Sequence, residues 1–220
     1  MNNILSLLQI ADSALPIGSV AHSYGLETVI AEQHLTVDQL ESYLVDLLKN
    51  TGRQEAWMCL MGHRAALLSD VEFSAAWLEL NGTVSALRSP HELRSASEKV
   101  GRRLLQLMGQ IEPTLILDRA WKTKQMHHAP VFGLIGASLE IEERVIVSVF
   151  LQQLVKTLVA AAQKLQPLGQ RQATAIVWKL KPIIESISNE VDAHLPAAFP
   201  GLPEVASLRH PHLTTRLFIS

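Results

Sequence analysis

Between Phe73 and Leu87 the bulky apolar residues Phe73, Trp77, Leu80, Val84 and Leu87 recur in steps of four, three, four and three. That spacing places all five on one stripe of an α-helix, whereas a strand would scatter them over both faces. The run is too short for a coiled coil and reads as a helix-packing seam. The same period recurs along most of the chain. No segment keeps the period-two alternation of a half-buried strand, and there is no internal repeat or low-complexity tract.

The helix boundaries follow from local chemistry. Thr36 and Gln39 form a capping box, after which Val37, Leu40, Tyr43, Leu44, Leu47 and Leu48 hold one face and Gly52 reads as a stop. A helix over residues 54–69 is expected to bury Trp57, Leu60, Met61 and Leu68. In "SPHE", Ser89 reads as an N-cap, Pro90 as N1 and Glu92 as N3. The helix behind it presents Leu93, Val100, Leu104, Leu107 and Ile111, and Pro113 ends it. On its exposed face Glu98 and Arg102 are spaced to pair. Residues 114–128 admit either a short helix or a loop, with His127 and His128 on an exposed linker. Pro130 reads as another N1 proline. Helices over 140–165 and 170–195 follow, the last kinked by Pro182, which lacks an N–H and collides with the preceding turn. Residues 196–220 read as a non-helical tail. The expected fold is a single all-α, multi-helix bundle over residues 1–220, with an N-terminal segment 1–35 and a C-terminal segment 196–220.

With 220 residues the chain is one large domain or two small ones, and it buries enough surface to fold without disulfide or metal. A formal charge of −2 gives no basic excess for a nucleic-acid backbone and little repulsion between copies. The single cysteine, Cys59, sits in an apolar run and reads as an inert buried thiol. The start, "MNNILSLLQI", lacks the basic region of a signal peptide. The most apolar stretch, around residues 145–165, is interrupted by Gln152, Gln153, Lys156 and Gln163. A cytoplasmic protein without a membrane span is expected.

Catalytic templates are absent. There is no G-x-x-x-x-G-K-[ST], no G-x-S-x-G and no H-E-x-x-H, and none of the nine histidines is four residues from another. The close pairs His127–His128 and His210-x-His212 fall short of the four ligands of a structural metal site. A helical-bundle metalloenzyme would need clustered ligands, typically with E-x-x-H pairs, which the chain lacks. An adaptor with other partners stays open on these grounds.

Two stretches do not fit a plain bundle. "ADSALPIGSVAHSYGLE", residues 11–27, packs Pro16, Gly18, Ser19, His22, Tyr24 and Glu27 into a short run. Pro16 fixes φ and Gly18 can take positive φ, so a tight connection follows, with Ser19 capping the next helix and His22 in its first turn. Asp12 and Glu27 can accept backbone or hydroxyl donors there. The stretch is either an interhelical turn with a buried histidine or a surface shaped for a partner. In the tail, Arg209, Arg216, Leu217 and Phe218 lie within the last twelve residues. A terminus carrying Leu217 and Phe218 has to dock, onto its own bundle or onto a partner.

"LLQIADSALPIGSVAHSYGLET" strongly resembles the N-terminal signature of the urease accessory protein UreF family, through Leu7, Leu8, Gln9, Asp12, Ser13, Pro16, Gly18, His22, Ser23, Gly25, Leu26 and Glu27. "HELRSASEKVGRRLLQL" resembles the family's central helix and "HAPVFGLIGASL" its proline-glycine helix. "KLQPLGQ" and "ASLRHPHLTTRLFIS" resemble its P-L-G-Q turn and its C-terminus. The chain departs from the family pattern at Ser19, Val20, Thr214 and Ile219.

The resemblance implies a cytosolic all-helical protein that is not an enzyme and carries no cofactor of its own. It implies a homodimer that binds a UreD/UreH-type accessory protein and, with it, the GTPase UreG, the assembly inserting nickel into apo-urease. Partner-binding roles are then expected for Pro16, Gly18, His22, Tyr24 and Glu27 in the turn and for Gly169 and Gln170 in "PLGQ", which otherwise reads as a helix–helix turn. The same is expected for Arg209, His210, Arg216, Leu217 and Phe218 in the tail, with Phe218 as anchor. No residue is assigned a catalytic or metal-binding role.

Overall fold

The computed structural model describes residues 3–197 and 201–219. Its helices are α1 Ile4–Ile10, α2 Leu26–Ala31, α3 Leu40–Leu47, α4 Arg53–Ala65, α5 Asp70–Leu87, α6 His91–Ile111, α7 Leu115–Lys122, α8 His128–Ser138, α9 Glu143–Leu165, α10 Gln170–Lys179, α11 Lys181–Glu190 and α12 Gly201–Arg209. No strand occurs among the described residues, and the all-α expectation holds.

α8 is the centre. Its residues from His128 to Gly136 are all buried, because it is apolar all round and is enclosed by α4, α6 and α9. The α4–α8 approach is close enough that a side chain at Gly62 would strike Pro130, and one at Gly133 the carbonyl of Cys59. The aromatic residues Trp57, Phe73, Trp77 and Phe150 are core, and Phe150 packs on Phe132 at 5.2 Å and on His128 at 5.3 Å between ring centroids. α9 is long and apolar enough to cross a membrane, but 67% of that window is buried inside the bundle, as in a core helix.

The Thr36–Gln39 capping box forms as expected, and a second one joins Ser69 to Glu72 at the start of α5. Several boundaries differ. Gly52 does not stop a helix: its φ of −59° is helical, and the chain runs from α3 into α4 through a π-helical turn, Leu48–Gly52. α4 ends at Ala65, leaving Leu68 39% exposed. Residues 115–122 are helical, and the Thr114 hydroxyl accepts from the Leu117 N–H at 3.4 Å. Pro182 does more than kink: the helix breaks at Leu180, and α11 restarts with Pro182 in its first turn and ends at Glu190. Pro130 is the third residue of α8 rather than its first. The tail is partly helical, since α12 spans Gly201–Arg209, followed by a 3₁₀ turn, His210–His212. Residues 198–200 lie outside the described part.

The exposed linker expected at His127 and His128 is absent. Both rings are buried, because the side chain of Asn81 and the hydroxyl of Ser97 accept from the backbone N–H groups of His127 and His128, at 2.8 and 3.2 Å. His127 Nε2 also lies 2.8 Å from the Ser85 hydroxyl. Arg102 does not pair with Glu98. It donates to the Lys124 carbonyl and lies over the Trp121 ring.

Candidate functional site

The signature loop begins with an Asx turn: the Asp12 carboxylate accepts from the Ala14 N–H at 2.9 Å. Gly18 follows with φ of +81°, a left-handed conformation open to glycine without strain. The Arg103 guanidinium of α6 lies against it, 2.5 Å from where a Cβ would sit. Residues Ser19–Ala21 make one 3₁₀ turn, and His22 comes after it in extended conformation rather than inside a helix. Gly18, not Ser19, stands at the cap position. Tyr24 and Gly25 then take φ of +53° and +79° in succession, which reverses the chain into α2. Gly25 faces α12 so closely that an added Cβ would lie 2.8 Å from the Ser207 hydroxyl.

That reversal places Glu27 in the first turn of α2 with 3% of its surface exposed. Its carboxylate reaches the far end of the chain. Oε1 accepts from the Leu217 N–H at 2.6 Å, and Oε2 accepts from the Phe218 N–H at 3.1 Å. Oε2 also lies 2.9 Å from Nε2 of His210, whose Nδ1 is 2.7 Å from Glu92 Oε2 on α6. His210 is fully buried with both nitrogens committed, so it has none left for a metal or a substrate. Arg216 reaches the other oxygen of Glu92 at 3.4 Å, Arg209 pairs with Glu32 at 2.8 Å, and the Ile219 N–H donates to the Ala21 carbonyl at 2.8 Å.

Beneath the loop a second charged pair is sealed in. Arg88 and Glu55 meet at 2.6 Å with both side chains buried, beside a cavity of about 30 Å³ also lined by Tyr24, Met58, Pro203 and Glu204. Burial pushes the Tyr24 hydroxyl up to about 12, with the Glu55 charge adding to it, and burial raises the Glu204 carboxyl. Burial, then the charges of Lys99 and Arg103, holds the His22 ring down at about 4. His127 and His128 are held at about 3, by burial first and the Arg88 charge second. The Cys59 thiol is buried and pushed well up, chiefly by burial. Among the described residues no group of three or more His, Cys, Asp or Glu side chains is placed to hold a metal ion.

The structure brings Glu27 together with His210, Leu217 and Phe218, with Arg216 on Glu92 and Arg209 on Glu32, while Gly18 lies against Arg103 and Tyr24 lines the cavity with Pro203 and Glu204. Gly169 and Gln170 stand at the start of α10, exposed, and Gln170 lines a neighbouring groove of about 610 Å³ that Ser13 and Lys164 also reach. The sequence reading missed Glu92, Arg88, Glu55 and Arg103. Glu92 was hidden by its place three residues after Ser89, which mimics a capping box. In the structure Pro90 holds the cap position, and Glu92 turns to His210 and Arg216. Phe218 is 6% exposed against its own core, under Lys164 at 5.4 Å from the ring. The expected anchor thus docks first on this chain, because its backbone and Leu217's are held by Glu27.

An all-helical protein whose N-terminal loop and C-terminal segment are joined through a buried carboxylate, with α6 bracing the junction, is the class defined by this geometry. The UreF family model matches residues 35–181. The chain is 32% identical to the urease accessory protein UreF of a Nostoc species, over all of the chain and 96% of that relative. It is 31% identical to the UreF of a Bacillus species, with both chains covered in full. It is 32% identical to that of a Picosynechococcus species, over 98% of the chain and 99% of the relative. The chain belongs to the urease accessory protein UreF family, and its relatives are named accessory proteins.

Proposed function

We propose that this chain is a non-catalytic cytoplasmic scaffold in urease maturation. It holds a UreD/UreH-type partner against the GTPase UreG so that nickel is inserted into apo-urease, and it works as a homodimer. Family membership supports the biology. The observation that carries the scaffold reading is the outer face of the C-terminal region. Leu202, Val205 and Leu208 follow one another along α12 at 47, 51 and 55% exposed, and Leu217 and Ile219 are 70 and 61% exposed beside Arg209 and Arg216. Exposed leucines flanked by forked cations fit a partner that offers an apolar pocket rimmed by carboxylates. The docking residues are accordingly Arg209, Arg216, Leu217 and Ile219. Phe218, His210 and Glu27 hold that face in shape from within, and the turn residues Pro16, Gly18, His22 and Tyr24 extend it. Gly169 and Gln170 belong to a second contact surface.

The test is co-expression with the other accessory proteins of a urease gene cluster, followed by size-exclusion chromatography. The wild-type chain co-elutes with the UreD/UreH-type protein and recruits UreG. Leu217→Glu with Ile219→Glu abolishes co-elution while the circular dichroism of the isolated chain is unchanged. Retained co-elution in that variant overturns the reading.

A further inference from the structure

The last described residues, 213–219, form no helix, and three of their backbone donors end on distant acceptors: Leu217 and Phe218 on the Glu27 carboxylate, Ile219 on the Ala21 carbonyl. Both acceptors belong to the signature loop and its helix. The same Glu27 oxygen that takes the Phe218 amide also faces His210, whose other nitrogen is held by Glu92 from α6. One imidazole thus joins three elements, with Arg216 closing the outer side of Glu92.

The geometry points to a catch. Glu92 holds the His210 ring in line with Glu27, and the C-terminal strap, residues 210–219, and the signature loop open and close as one unit under its control. The physical reason is the isolation of Glu27. With the strap lifted, a carboxylate 3% exposed loses both amide donors and its imidazole. A buried carboxylate without donors is costly, so the first turn of α2 and the loop before it have to move to let water in. Movement of the loop in turn removes the acceptors that seat Leu217, Phe218 and Ile219. Ligands on either segment are then coupled through the catch. Glu92 is a positioning residue in this scheme, since it touches His210 and Arg216 and none of the strap amides. The catch operates in the isolated chain, without a partner.

Hydrogen exchange on the isolated full chain tests it, with the amides of α8 and α9 as the internal reference. In Glu92→Gln, protection of the Leu217 and Phe218 amides falls by about tenfold, because the His210 ring is no longer held in line with the Glu27 carboxylate that accepts from them. Protection of the His22, Leu26 and Val29 amides, which bond within the loop, falls with it. Arg216→Gln removes only the outer contact and has the smaller effect. Three results overturn the catch: strap protection unchanged in Glu92→Gln, a loosened strap over an unchanged loop, or an Arg216→Gln effect equal to that of Glu92→Gln.

Discussion

The backbone N–H of Phe218 donates to the carboxylate of Glu27 at 3.1 Å, across 191 residues of chain. The two ends of the protein are therefore parts of one site. A buried carboxylate supplies the tail with acceptors that its own short irregular backbone lacks.

Glu27→Ala removes the acceptor for two amides and one imidazole nitrogen at once. We expect a loss of about 3–5 kcal/mol in unfolding free energy, because buried donors and the Glu92–His210 pair are left uncompensated. Urea unfolding measures it. Glu27→Gln, which keeps one acceptor oxygen, falls between the two.

Phe218 and Leu217 are adjacent, yet their variants are expected to separate. Phe218→Ala empties a core position and costs about 3–5 kcal/mol of stability. Leu217→Ala leaves urea unfolding within about 0.5 kcal/mol and weakens partner co-elution. Running both assays on both variants distinguishes an internal anchor from an external contact.

Arg88→Met leaves Glu55 charged and buried beside Met58, and about 3–5 kcal/mol is lost. The double variant Arg88→Met with Glu55→Leu recovers most of it, since an apolar pair of similar volume avoids the desolvation cost. Denaturation of the two single variants and the double one gives the coupling directly.

Two glycines separate close approach from helix propensity. Gly133→Ala drives a methyl into the Cys59 carbonyl and destabilises by about 1–3 kcal/mol. Gly82, inside α5 with open space beside it, gains about 0.5–1 kcal/mol on conversion to Ala. Thermal melting reports both signs.

Acid sensitivity follows from His127 and His128. Their native values of about 3 lie below the ordinary 6.5, so between those limits the unfolded chain binds more protons than the native one. Their contribution is intact above about pH 6.5 and is lost progressively as pH falls towards about 3. His128→Leu, replacing a ring packed between Phe132 and Phe150, flattens the acid limb of stability against pH. An unchanged limb refutes the assignment.

Much of the helical architecture was legible because its signals are local. The Phe73–Leu87 seam, the Thr36–Gln39 box and Pro182 each act within one or two turns. Gly52 misled for the opposite reason. A glycine stop is only a propensity, and the packing of Leu47 and Leu48 into the core carries the helix through it. His127 and His128 were misplaced because the acceptors of their backbone N–H groups, Asn81 and Ser97, lie 46 and 31 residues earlier.

By itself the sequence determined the helical period, the lack of catalytic and nucleotide-binding templates, and the two ends where the unusual residues gather. Those properties reside in spacing and residue type, which are local to the chain. Only the tertiary structure decided that Phe218 turns inward, that Glu92 serves His210 rather than its own helix end, and that Arg88 meets Glu55. Each is a pairing of groups distant in the chain, and its energy exists only once packing has removed the water between them.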